Sequence, residues 1–270
     1  MSTSQAEPAP LRDAATVVLV RDTPDGIEVF LQRRVRQMAF AGGVTVFPGG
    51  GVDRRDADAD IAWTGPPPAW WAEAFHTDEH TAQALVCAAV RETFEECGVL
   101  LATRSDGSFP DPDVYTTERD QLVDKSLSFA QFLRDTGLSL RADLLRPLAH
   151  WITPIIEERR YDTRFFLAAL PDGQTADDKT TEAEVAHWAT PAAALDAWAA
   201  DQHALLPPTW AQLNHLADFD TVAAALAAER HVEAIEPSVT PGAGLAGLKF
   251  DGSDRYFSVI ADREVPGLSR

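Results

Sequence analysis

Two short runs near the start, Ala15-Thr16-Val17-Val18-Leu19-Val20 and Ile27-Glu28-Val29-Phe30-Leu31, are dense in β-branched and other apolar residues. Thr23-Pro24-Asp25-Gly26 separates them. Runs of this kind around a Pro/Gly turn predict strands over 15–22 and 27–34. Val44 to Phe47 predict a further short strand, leading into the glycine turn Gly49-Gly50-Gly51. The period then changes. Val86, Cys87, Val90, Phe94 and Cys97 recur at helical spacing, which predicts one helix over 78–97. Thr77 or Asp78 is its candidate N-cap and Gly98 its left-handed stop. Between turn and helix, 57–77 carries Pro66-Pro67-Pro68 and Trp70-Trp71, and reads as an irregular insert packed by its aromatics. A second insert spans about 105–140; it holds one or two helices over 117–136, with Ser128 a candidate cap. Strands are expected near 100–103, 148–153, 161–170 and 185–189, a polar loop over 172–181, and Ala-rich helices over 191–202, 208–218 and 221–231. No internal repeat is evident. The pattern supports an α+β fold with several strand pairs.

The helix that buries one stripe carries carboxylates on the other. With Glu92 at zero, Glu95 lies at about −60° and Glu96 at about +40°, opposite the apolar stripe. Acidic runs on helices are usually solvated faces. Three like charges this close repel unless a cation lies among them, and oxygen-only ligands suit a hard ion such as Mg²⁺ (or Mn²⁺). Arg91 stands beside the stripe, where a guanidinium can hold a carboxylate by two prongs. The preceding glycines would let backbone N–H groups approach phosphate oxygens. Taken together, these features favour a metal and phosphate site over a solvated face.

Composition narrows the partners. The chain has 270 residues, 45% hydrophobic content and a net charge of −19. Length and apolar content suffice for one large core. The negative charge disfavours a nucleic-acid partner. The two cysteines, Cys87 and Cys97, share the proposed helix at ~15 Å, too far to bridge. Buried free thiols fit a reducing cytoplasm. No apolar run reaches 18 residues, so no membrane span is expected.

Arg91-Glu92-Thr93-Phe94-Glu95-Glu96-Cys97-Gly98-Val99 resembles the second half of the Nudix box, the signature of the Nudix hydrolases. Gly50 resembles the first glycine of that box. The sequence departs from it in carrying Asp56 where the box has Glu, and Thr93 at a usually apolar position. Asp56 and Arg91 are separated by 34 residues where the pattern has seven. A long insert here is similar to the subgroup that includes peroxisomal coenzyme A diphosphatases. His150-Trp151-Ile152-Thr153-Pro154 and Tyr161 to Ala168 are similar to it as well. The resemblance implies an α/β/α sandwich with a mixed sheet, a long insert before the catalytic helix and extra C-terminal helices. The expected organisation is a tail over 1–13, a Nudix domain over 14–236 and an extension over 237–270 that wraps the core or reaches a second subunit of a homodimer.

The implied activity is metal-dependent hydrolysis of a nucleoside diphosphate linked to another moiety. Glu95 and Glu96 would be the firmest metal ligands, and Glu92 a ligand or the general base. Arg91 would orient a carboxylate, and Asp56 would sit near Arg91. A further base often follows the later strands, which makes Glu182 and Glu184 candidates, though exposed loop acids are as good a reading. Gly49, Gly50, Gly51, Arg34, Arg160 and Arg164 are candidates for holding substrate. Arg160, Asp162 and Arg164 share one strand face and equally suit an internal salt-bridge network. The cluster Arg33-Arg34-Val35-Arg36 either attracts phosphates or is solvated. Trp151 and Phe166 would stack on a base or lie in the core. The histidines read as structural or surface residues.

Gly43 to Gly50 fits the end of an upstream pattern of the coenzyme A-cleaving branch, but Ala39 stands where that pattern has Arg. Tyr115 lies 17 residues after Gly98, a spacing of dinucleoside polyphosphate hydrolases. Coenzyme A or an acyl-coenzyme A is therefore the leading substrate. ADP-ribose or a dinucleoside polyphosphate is the alternative, and a non-catalytic nucleotide-binding regulator the third.

Overall fold

A computed structural model describes residues 8–35, 42–57, 60–180, 183–240, 247–260 and 263. In chain order the first strands are β1 (Leu11–Thr23), β2 (Gly26–Arg34), β3 (Val44–Val46), β4 (Gly49–Gly51) and β5 (Trp63–Thr64). Then come α1 (Pro68–Phe75), α2 (Glu79–Cys97), β6 (Ala102–Thr103), α3 (Thr116–Val123), α4 (Phe129–Thr136) and β7 (Ser139–Arg141). The long strands β8 (Leu145–Ile152) and β9 (Arg160–Ala169) precede β10 (Ala183–Ala189), α5 (Pro191–Ala199), β11 (Ala204–Leu205), α6 (Pro207–Leu216) and α7 (Val222–Ala227). The chain closes with β12 (Ala234–Ile235), β13 (Ser238–Val239), β14 (Leu248–Lys249) and α8 (Ser253–Ile260).

Among the described residues nine strands form one mixed sheet, ordered β11-β3-β2-β1-β9-β8-β12, with β4 pairing β1 and β10 pairing β2. β1 and β9 run parallel; β1–β2 and β8–β9 are antiparallel. Alternation along β1 divides the core. Ala15, Val17 and Leu19 pack with Leu85, Val86 and Val90 of α2. Val18 and Val20 pack with Leu213 and Leu216 of α6. Successive residues of a strand face opposite ways, so one apolar run serves both layers. The expected α/β/α sandwich is what forms.

The insert over 57–77 is not irregular. Pro68 occupies the first turn of α1, where its missing N–H costs nothing. Trp71 and Phe75 of that helix are fully buried, and both pack against Phe166. The two inserts also pair with each other: β5 from the first and β7 at the end of the second join β6 in a small sheet. Ser128 caps α4 as expected, accepting from Gln131 N at 3.2 Å. The tail ends earlier than expected, because Leu11 already pairs with Arg160. The described part of the 237–270 extension wraps the core, with Leu248, Tyr256 and Ile260 buried. The Tyr256 hydroxyl donates to Leu205 O at 2.6 Å.

Candidate active site

The acidic helix is anchored at both ends. The Asp78 carboxylate accepts from Thr81 N at 2.9 Å. Gly98 closes the helix with φ 71°, its N–H bonded to Phe94 O at 3.0 Å. A further clamp acts on the last turn. Arg119 of α3 donates through Nη1 and Nη2 to Asp177, at 2.7 and 2.9 Å, and through Nε to Glu95 O at 3.1 Å. A Cβ on Gly98 would meet Asp177 Oδ2 at 2.8 Å and Arg119 Nη1 at 2.9 Å, so glycine is required there for space as well as for backbone angle. Arg119 and Asp177 are far apart in sequence, and no local signal pairs them.

Arg91 is the hub of the site. Its Nε and Nη2 hold Asp56 by two prongs at 2.9 and 2.8 Å. Nη2 also donates to Gly51 O at 2.9 Å. Nη1 reaches Glu92 Oε1 at 2.6 Å and Glu95 Oε1 at 3.2 Å. Asp56, though shorter than the expected Glu, makes the contact from a single turn of 3₁₀ helix, with its own carboxylate also accepting from Asp53 N at 2.8 Å. Burial opposes the charge on Arg91, but Glu92, Asp56 and Glu95 outweigh it and hold the guanidinium firmly protonated. The glutamate stripe is not solvated: Glu96 is 5% exposed, and Glu92 and Glu95 are half-buried. Burial, helped by Glu95 and Asp56 and opposed by Arg91, pushes the Glu92 carboxyl up to about 7. Burial likewise raises that of Glu95.

A cavity of about 1340 Å³ opens beside the stripe, lined by Glu92, Glu95 and Glu96 and by Gly49 to Gly51. Arg34, Arg54 and Lys125 contribute basic groups to its wall, and Trp151, Phe165 and Leu206 apolar ones. Only Arg34 and Trp151 of these were legible as candidates. Lys125 comes from a segment with no motif, and Arg54 stands at an unspecified position of the box between Gly50 and Asp56.

Several expectations need correction. Gly49–Gly51 is a strand paired with Ala14–Thr16 of β1, not a phosphate-cradling turn. The Gly49 N–H donates to Glu96 Oε2 at 3.0 Å, so it serves the carboxylate instead of a phosphate. Arg160 and Arg164 do not line the cavity. Arg164 pairs with Asp162 at 2.7 Å, half of the network that was the other reading, and with Asp13 at 3.2 Å, whereas Arg160 pairs with Glu236 at 2.6 Å. Their strand face points their guanidinium groups at acids instead of at solvent. Glu184 lies on β10, 3.7 Å from Arg33, and is not among the residues that line the cavity. Phe166 is wholly in the core. Tyr115 packs edge-on against Phe132. Glu182 and Arg36 lie outside the described residues.

The donor set fits a hard divalent ion. Arg91 takes Oε1 of Glu92 and of Glu95, and Oε2 of each is unbonded among the described residues. Their raised pKa values mark carboxylates short of positive charge.

Residues 73–216, more than half of the chain, match the family model described as the NUDT19 Nudix domain. The chain belongs to that Nudix family. It is similar to the acyl-coenzyme A diphosphatase NUDT19 of Gallus gallus (27% identity, 78% of this chain and 69% of that one) and of Homo sapiens (28%, 72% and 62%). A putative nudix hydrolase 7 of Caenorhabditis elegans is 31% identical over 76% of this chain and 60% of its own. The chain thus spans 60 to 69% of the length of these relatives. A crystal structure of a Nudix hydrolase from Alicyclobacillus acidocaldarius superposes with a TM-score of 0.71 at 29% identity, covering 83% of this chain and 98% of that one. Nudix hydrolases generally use divalent metals, in keeping with the carboxylate set of α2.

Proposed function

We propose that this chain hydrolyses the diphosphate bond of coenzyme A or an acyl-coenzyme A in a reaction dependent on Mg²⁺, with Mn²⁺ as a substitute. One observation carries the reading: Glu92 and Glu95, held by the buried Arg91, and Glu96, held by the Gly49 N–H, all line a cavity large enough for an extended nucleotide. Pockets for small ligands typically measure ~300–1,000 Å³; this one is about 1340 Å³. Its carboxylate end suits a diphosphate, and its wall of Trp151, Phe165 and Leu206 suits a less polar arm. The relatives named as acyl-coenzyme A diphosphatases support the same substrate class.

Glu95 and Glu96 would hold a divalent ion, which would supply charge neutralisation at the diphosphate oxygens. Glu92 would accept the proton of the attacking water. Arg91 fixes Glu92 and Glu95 in register. Arg54 and Lys125 face the phosphates from the cavity wall. Hydrolysis splits the diphosphate into two phosphomonoesters. Cys87 and Cys97 are buried and form no disulfide, which supports a cytoplasmic setting. No helix among the described residues is long and apolar enough to cross a membrane.

The test is turnover of coenzyme A, acyl-coenzyme A, ADP-ribose, NADH and diadenosine polyphosphates, with Mg²⁺ or Mn²⁺. The coenzyme A compounds should show the highest kcat/KM. Glu96→Gln should lower kcat by about 10²-fold or more with the fold intact. Tight nucleotide binding without turnover in either ion would reduce the protein to a binding module, and a fully active Glu96→Gln would remove the trio from the chemistry.

A further inference from the structure

A second cluster of metal-ligating side chains lies outside the cavity. His76, His231 and Glu233 each offer a ligand atom, and these atoms all lie within 4.8 Å of one another. None of the three residues lines the cavity. All three are exposed, so an ion reaches them from solvent. His76 caps the C-terminus of α1 in a left-handed conformation, φ 51°, uncommon for a residue other than glycine. His231 and Glu233 flank Val232, which is buried in the same core cluster as Trp71 and Phe75 of α1. The side chains of His231 and Glu233 meet on the side of His76. The His231 Nε2 and Glu233 Oε1 atoms are 2.6 Å apart, and the His76 and His231 rings are 5.8 Å apart between centroids.

We propose that His76, His231 and Glu233 form a Zn²⁺ site that ties the end of the insert helix α1 to the segment entering β12. Two imidazoles and one carboxylate, with a fourth position open to water, are the donor set of a borderline-soft ion. The trio on α2 is oxygen only and selects a hard ion instead, so the two sites sort different metals. Bonds of ~2.0 Å in a tetrahedron place ligand atoms ~3.3 Å apart, inside the 4.8 Å that bounds the three ligand atoms here. The bland alternative is an exposed His–Glu pair near an unrelated histidine.

The untagged full-length chain is dialysed against micromolar Zn²⁺ in excess Mg²⁺, and bound zinc is counted. The wild type and Glu96→Gln should each retain one Zn²⁺. His231→Gln and His76→Asn should each bind it ~10-fold or more weakly, since even loss of an outer-shell partner costs that much. Asn keeps the left-handed cap at position 76, which guards against a folding artefact. Zn²⁺ should also raise the Tm of the wild type and leave that of the double variant unmoved. Retention that ignores both histidine substitutions, or that disappears in Glu96→Gln alone, overturns the proposal, as does a wild type that retains no zinc.

Discussion

Alanine at each of the three consecutive glycines of β4 should give three different outcomes. A Cβ on Gly50 would lie 2.6 Å from Cδ and both carboxylate oxygens of Glu92, where 3.4–4 Å is ordinary contact. The backbone there is not left-handed, so the chain itself accepts alanine. Glu92, already held by Arg91 Nη1 on its other side, must retreat by about 1 Å. A displacement of that size in a catalytic constellation costs ~10²-fold, or about 2.7 kcal/mol of transition-state stabilisation. Gly51→Ala meets nothing within 4 Å and should be silent. Gly49→Ala meets the backbone at Ala15 O, 2.5 Å away, and should destabilise the fold by about 3 kcal/mol. Steady-state kcat/KM and urea unfolding of all three variants separate these cases. If Gly50→Ala and Gly51→Ala have the same kcat/KM, Glu92 is not held in a catalytic position and the mechanism above is wrong.

Asp56→Ala leaves Arg91 buried without its two-pronged partner, and should cost about 3 kcal/mol in urea unfolding together with most of the activity. A loss under 1 kcal/mol would mean that the two remaining acids suffice. Trp71→Ala should cost about 3–5 kcal/mol, because the insert helix is part of the core; a surface-like value would return the insert to the periphery. The raised Glu92 carboxyl means that the folded chain binds more protons than the unfolded one between about pH 4.5 and about 7. This group's contribution to stability therefore falls as pH rises through that window. In chelator, Glu92→Gln should flatten the slope, and added Mg²⁺ should offset it; an unchanged slope in Glu92→Gln would assign it to other groups.

The acidic helix was legible because its determinants are local. The spacing of Val86, Val90, Phe94 and Cys97, the Asp78 cap and the Gly98 stop all act within a few residues, and with them came the shared face of Glu92, Glu95 and Glu96. The division of β1 between two core layers follows from alternation in the same way. The partner of each charged group was not legible. Arg160 and Arg164 share a strand face whether they bind phosphate or pair with Glu236, Asp162 and Asp13, and only the approach of distant segments decides. Triple proline read as a break, yet Pro68 starts a helix because Trp71 and Phe75 find Phe166 beneath them. The glycine run looked like a turn until pairing with Ala14–Thr16 made it a strand. Periodicity reports which face of an element is apolar, and the sequence settled that alone. Which polar atom meets which is decided by free-energy differences between long-range contacts, and those exist only once the chain has closed on itself.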